Sequence, residues 1–396
     1  MNKTPHSCRK NTEGVALLMS LLFVVILAAI VTDFMYKMHV EASLVANQSS
    51  DHSGYLAAKS GIATGMSVLH ADRLMALEEQ ATEGSYDGAD EPWAEKSSVT
   101  SYNDDVVNIT ISDEYGKINL NALIYEDESG AEIEHPVLVP MLVELFTVTF
   151  NLENDPTDLI LDWLDADDNE RPNGAESNYY ELLETPYSCK NGPMDSIEEL
   201  LLLPGITPEL YFGLPPVEEE KEFLEVEYDE EVDGVLAPGQ TVPLFDLFTV
   251  HGHPEGKLNV NTMPMAEELE TMIVQYYNQS LQDKRFELTA NGTAIVSRQS
   301  EEGGFATEVD LQEAGLAHNL NSEGSNNNNQ NTGTEPLVDP PRQIFTTQSN
   351  VFRIWSDGQS SEAQVRIEAY VFRDPVDNTE NPEPQLFRII DWRVVR

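Results

Sequence analysis

The stretch Glu13-Gly14-Val15-Ala16-Leu17-Leu18-Met19-Ser20-Leu21-Leu22-Phe23-Val24-Val25-Ile26-Leu27-Ala28-Ala29-Ile30-Val31 sets a glycine directly before an apolar run that only Ser20 interrupts. A secretory signal carries its cleavage site after the apolar core, at small residues. Here the small residue comes first, so processing between Gly14 and Val15 would remove the polar leader 1–14 and keep the apolar segment on the mature chain. At ~1.5 Å per residue the run to Tyr36 spans about 33 Å, enough to cross the hydrocarbon core of a bilayer. A discarded signal peptide would need a shorter core and a small-x-small site beyond it, and no convincing one follows. An ordinary single-span anchor remains open as a reading of the same residues.

Lys3, Arg9 and Lys10 precede the run and no comparable basic cluster follows it. The leader is therefore expected on the cytoplasmic side, with the bulk of the chain across the membrane. The 396 residues carry 22 Lys+Arg against 70 Asp+Glu, a formal net charge of −48. Such a surface repels phosphate and speaks against nucleic acid, whose binding depends on Lys and Arg; it suits cation binding or a salt-rich habitat. Cys8 lies in the leader and Cys189 is the other cysteine, so the processed chain would form no internal disulfide. An exported chain without that staple is a candidate for a divalent cation held by acidic loops.

No proline occurs between His6 and Pro92, and Tyr55, Ala58, Ile62, Met66 and Leu69 recur at spacings of three and four. These features predict a helix from Val15 to about Met75, bent or interrupted near Gln48–Gly54. Gly61 and Gly65 form a small-xxx-small pair that would let a second helix approach. From Val106 the period changes to two, and a turn at Asp113–Gly116 predicts a β-hairpin with Lys117–Asn121. Gly116-Lys117-Ile118-Asn119-Leu120-Asn121 nearly recurs as Gly256-Lys257-Leu258-Asn259-Val260-Asn261, which suggests similar local roles. Helices are expected over 137–148, 156–164, 177–184, 195–203 and 207–212, and strands over Val351–Trp355, Ala363–Phe372 and Leu386–Val394 as an antiparallel meander. The Asn-rich stretch 318–336 reads as a flexible polar loop.

The segment Asp165-Ala166-Asp167-Asp168-Asn169-Glu170-Arg171-Pro172-Asn173-Gly174-Ala175-Glu176 has the spacing of a calcium loop. Asp165, Asp167, Asn169, the Arg171 carbonyl and Glu176 fall at positions 1, 3, 5, 7 and 12. Glu170 stands where the sharp turn wants glycine and Pro172 alters the path, so a variant loop or a plain solvated turn are the alternatives to a standard EF-hand. Leu200–Leu210 looks like a helix–hairpin–helix, with a capping box at Ser196 and Glu199 and Thr207 before Pro208. Residues 195–220 contain neither Lys nor Arg, so packing accounts for the hairpin better than DNA contact. His251 and His253 form a weak metal pair or a surface turn. Neither a nucleophile elbow nor a phosphate loop is present, and no catalytic site is expected.

Gly14 and the apolar run resemble a type IV prepilin-like leader, which implies processing by a prepilin peptidase. With it, Gly116–Asn121, Asp162-Trp163-Leu164-Asp165-Ala166-Asp167, Gly174-Ala175-Glu176, Tyr179-Tyr180, Pro204–Leu210 and Leu258-Asn259-Val260-Asn261-Thr262 resemble, in order and spacing, the K-type minor pseudopilins of the type II secretion system. Glu13 and the Asn-rich segment depart from that pattern. The resemblance implies an α+β fold: a long N-terminal transmembrane pilin helix packed on an antiparallel β-sheet, with a large mostly α-helical insertion. The division expected is leader 1–14, helix 15–76, first part of the sheet domain 77–124, insertion 125–252 and second part 253–396. The resemblance further implies calcium, no enzymatic activity, and single-pass residence in a bacterial inner membrane with the bulk in the periplasm. Its implied partners are the H-, I- and J-type minor pseudopilins, the inner-membrane secretion platform, and the exported protein or outer-membrane secretin.

Most pilin-type subunits carry a Glu at mature position 5, and here that position is Met19. An unpaired carboxylate is costly in lipid, and a subunit at the tip has none ahead of it to pair with, so an apolar residue suits the leading position. The readings left open are a minor pilin of a related type IV pilus and a membrane-anchored calcium-binding periplasmic protein.

Overall fold

The structure, a computed structural model, describes residues 12–79, 86–100, 106–127, 129–213, 242–281, 286–299, 304–318, 343–360, 363–374 and 387–395. The leader up to residue 11 and nearly all of the Asn-rich stretch lie outside the described residues, with the expectations placed on them.

Helix α1 runs from Thr12 to Glu79. It is continuous through Gln48–Gly54, where an interruption was expected, and it passes through Gly14 into the leader. Its hydroxyls turn back onto the helix: Ser20 Oγ donates to the Leu17 carbonyl and Thr32 Oγ1 to the Ala28 carbonyl, both at 2.8 Å. From Val15 through Val45 the side chains are exposed. Further along, one face is buried, with Ala58, Ile62 and Leu69 enclosed and Tyr55 and Met66 at its margin.

That face packs on a five-stranded antiparallel sheet in chain order: β1 (Ser97–Thr100), β2 (Val106–Asp113), β3 (Val351–Ser360), β4 (Ala363–Arg373) and β5 (Phe387–Val395). Period-two alternation turns Val107, Ile109, Ile111, Ile354, Val365, Ile367 and Ala369 into one core with α1. Gly61 and Gly65 admit the sheet rather than a second helix: a Cβ on Gly61 would stand 2.0 Å from Ser356 Oγ, and one on Gly65 2.9 Å from Ile354 Cγ2.

Between β2 and β3 the chain builds a second, larger core that reaches from Ile118 to Phe345. Its helices are α2 (Leu138–Glu144), α3 (Thr157–Leu164), α4 (Ser177–Tyr180), α5 (Pro208–Phe212), α6 (Leu244–Leu247), α7 (Ala266–Ser280), α8 (Ala294–Gln299) and α9 (Glu308–Glu313). A π-turn follows α2 at Leu145–Thr149, and Ile197–Leu202 is a 3₁₀ helix started by the Ser196–Glu199 capping box. The insertion is thus longer than 125–252, because Leu269, Ile273, Ile295 and Leu311 on the later helices share this core and not that of the sheet.

The expected hairpin is absent at its second strand: Ile118–Asn119 pairs in parallel with Phe248–Thr249, not with β2. Its near copy, Leu258–Asn259, pairs in parallel with Phe345–Thr346. Each string therefore opens a lobe that a distant strand closes. The asparagines repeat the same bonds. Asn121 Oδ1 accepts from the Met194 N–H at 2.8 Å and its Nδ2 donates to the Met194 carbonyl at 2.9 Å. Asn261 binds Phe305 in the same way, at 2.7 and 3.0 Å.

Candidate metal centre

Helix α3 starts at an Asp155 turn, whose Oδ1 accepts the Thr157 N–H and hydroxyl at 3.0 and 2.6 Å. Its buried face carries Ile160, Leu161, Trp163 and Leu164, and Asp162 lies among them with no exposure. Trp163 is fixed by a bond from Nε1 to Glu199 Oε2 at 2.9 Å and by an edge contact with Tyr180. This packing keeps Asp162 in the interior. The helix ends as Asp165 turns extended, and the loop returns so that Glu176 enters the same interior just before α4.

Ligand atoms of Asp162, Asp165 and Glu176 all lie within 4.8 Å of one another, and all three residues are buried. Neither oxygen of Glu176 and not Oδ1 of Asp165 has a hydrogen-bond partner. Buried acceptors of that kind cost free energy unless something else fills them. Burial first, then the negative charges of Asp162, Asp165 and Asp168, push the Glu176 carboxyl up to about 7. The Cys189 thiol works weakly the other way without making a hydrogen bond of ordinary geometry with it. Gly174 gives the Asp162 carboxylate its room, since a Cβ there would stand 1.8 Å from Oδ2.

Arg171 is the counter-charge in place. Its Nη1 donates to Asp162 Oδ1 at 2.7 Å and also to Asp165 Oδ2, and its backbone N–H donates to Asp162 Oδ2 at 3.1 Å. Three carboxylates against one guanidinium leave a formal excess of two negative charges. Hard oxygen donors with that deficit fit a divalent cation such as calcium.

Of the loop residues expected as ligands, the structure brings Asp165 and Glu176 together. Asp167 and Asn169 stay exposed on the loop, where Asp167 Oδ1 accepts the Asn169 N–H at 2.7 Å. The Arg171 carbonyl accepts from the Gly174 N–H, at 3.1 Å, and the arginine enters the cluster by its side chain. Asp162 was missed because it precedes the loop. Its signal is the i, i+3 spacing to Asp165 at the end of a helix.

A second acidic group, Asp72, Asp87 and Glu91, differs in being supplied with donors. Arg373 bonds Asp87 and lies 3.4 Å from Asp72, and Glu91 Oε2 accepts from Gly88 N–H and Trp93 Nε1 at 2.9 and 2.8 Å. His251 and His253 are half-buried rather than a surface turn, and they pack on different rings, Tyr370 and Tyr115.

A helix half exposed and half laid on an antiparallel sheet, with an acid-lined helical insertion, defines a pilin-like fold with an added domain. Residues 116–217 match the family described as type II secretion system (T2SS), protein K. The chain is 33% identical over 133 residues to the type II secretion system protein K of Klebsiella pneumoniae, covering 31% of this chain and 39% of that one. To the corresponding protein of Aeromonas hydrophila it is 27% identical over 218 residues, covering 53% and 63%. These matches span less than two thirds of the relatives' length. A chain of the crystal structure of the GspK-GspI-GspJ complex from the enterotoxigenic Escherichia coli type 2 secretion system has the same fold. The TM-score is 0.58 at 15% identity, over 89% of this chain and 99% of that one.

Proposed function

We propose that this chain is a non-enzymatic minor pseudopilin that sits at the tip of a type II secretion pseudopilus and promotes its assembly. The observation that supports this most is the exposed apolar half of α1, from Val15 through Val45, continuous with a half that carries a bulky two-core body. Among the described residues, α1 is the helix long and apolar enough to cross a membrane. In this reading Gly14 and Val15 flank the prepilin peptidase cut, and the chain resides in the inner membrane with its body in the periplasm. Its neighbours are the I- and J-type subunits, as in the solved complex of the related protein, and the H-type subunit. The secretion platform lies at its base, and the exported protein or the secretin lies ahead of it. A large body suits the leading position, where no subunit lies above it.

Met19 is exposed on the apolar part of the helix. Met19→Glu introduces a carboxylate with no partner at the tip, and is expected to reduce co-purification with the I- and J-type pseudopilins and to impair secretion. Unchanged assembly and secretion would count against the tip placement.

The same reading assigns calcium to the acidic centre, held by Asp162, Asp165 and Glu176. When bound, the ion would tie α3 to the start of α4 and replace the cross-link that a lone Cys189 does not provide. It would act on stability of the insertion and not on any reaction.

A further inference from the structure

We infer that Arg171 is a resident cation of the acidic centre that competes with a divalent ion for the same carboxylates, so that the loop's own arginine sets how tightly the ion is held. This rests on the cation reading above. Asp162 and Asp165 are buried, and each gives an oxygen to the Arg171 guanidinium. An ion drawing on those carboxylates meets a positive charge already among them. Guanidinium N–H groups and a metal ion both need the oxygen lone pairs, so the two cannot use the same ones.

Arg171 is an incomplete substitute for the ion. It does not reach Glu176, both of whose oxygens lack a hydrogen-bond partner, and it leaves Asp165 Oδ1 without one. It is also held from the far side: Nε and Nη2 each donate to Glu134 Oε1 at 3.2 Å, and that carboxylate is half exposed. Glu134 therefore gives the guanidinium a partner to keep while its hold on Asp162 and Asp165 loosens. The site has two arrangements of charge, one closed by arginine and one closed by an ion. The apparent affinity for the ion is scaled down to the fraction of molecules in which the arginine has already given way.

The test is a calcium titration by calorimetry on the full chain in detergent, together with thermal unfolding in chelator and in saturating calcium. Wild type, Arg171→Gln and Arg171→Lys are compared. Arg171→Gln should bind calcium about ten-fold more tightly, unfold at lower temperature than wild type in chelator, and lose that difference in saturating calcium. Arg171→Lys, which keeps the charge but not the fork, should fall between. Equal or weaker calcium binding by Arg171→Gln, with the same loss of stability in both conditions, would make Arg171 a fixed brace of the loop and overturn the inference. Calcium binding by the variant alone would support it in its strongest form. If no form binds calcium, the cation reading itself fails and the inference falls with it.

Discussion

Asp113 stands where the chain leaves the sheet for the insertion, and its carboxylate accepts four hydrogen bonds. They come from the Tyr115 N–H at 2.7 Å, Asn259 Nδ2 at 2.9 Å, Thr262 Oγ1 at 2.5 Å and Ser349 Oγ at 2.7 Å. Both cores are thereby tied to one side chain. Asp113→Ala leaves buried donors without an acceptor, and a loss of about 3 kcal/mol or more is expected in denaturant unfolding. His253 sets a pH dependence of the opposite kind to that of most buried acids. Burial first, and then the charge of Lys257, lower its imidazole to about 4. The unfolded chain takes up this proton near pH 6.5 and the folded chain only near 4. Stability is accordingly lost as pH falls through that window. His253→Asn keeps an acceptor for the Glu255 N–H, which His253 Nδ1 now binds at 3.0 Å. The variant should lose ~1–2 kcal/mol less than wild type between pH 6.5 and 4, after allowing for solvent screening. An identical pH dependence in the two proteins would contradict this origin. At this scale the sequence was legible where proximity follows from spacing along one loop, as for Asp165 and Glu176, which the structure brings together. It was not where the role comes from a side chain that turns inward, as Arg171 does, or from a residue on the preceding helix, as Asp162 is.

Among the elements, the docked part of α1 and β2 were legible because each buries one face against a single partner layer, which leaves a clear period; the three late strands were legible as apolar, β-branched runs between turn-rich spacers. Partner choice is a different matter. The alternation in Lys117–Asn121 fits a hairpin as well as it fits a parallel clip with Phe248–Thr249, since period two fixes faces and not neighbours. For the same reason α7 was missed and its region assigned to the sheet domain: nothing local to Ala266–Ser280 says which core takes its Leu269 and Ile273. The recurrence of Asn121 and Asn261 in equivalent clamps shows that the repeated strings mark the openings of two lobes. The approach of α1 to the sheet has a direct test. Gly61→Leu places a side chain where a Cβ alone stands 2.0 Å from Ser356 Oγ and 2.6 Å from Val107 Cγ1. It should destabilise helix docking by about 2 kcal/mol or more, read as a lower unfolding temperature in detergent, whereas Ser60→Leu on the exposed face should leave it nearly unchanged.

Over the whole molecule, a chain of charge relays joins the two bodies. Lys117 binds Glu114 at 2.9 Å, Glu114 meets Arg353 at 3.3 Å, and Arg393 bridges Glu368 at 2.9 Å to Glu198 of the insertion at 2.7 Å. In a chain with a formal net charge of −48, three cations, Lys117, Arg353 and Arg393, lie where the insertion rests on the sheet. The body is thus carried as one unit at the end of a helix whose first part is bare of protein contacts, an arrangement that fits the tip placement proposed above. That account depends on the bare segment becoming the start of the mature protein. The most direct measurement is the N-terminus of the membrane-fraction protein, by intact mass and peptide sequencing, from cells with and without a prepilin peptidase. The account predicts a start at Val15 that requires the peptidase. A start at Met1 in its presence, or a cut beyond Val31, would contradict it.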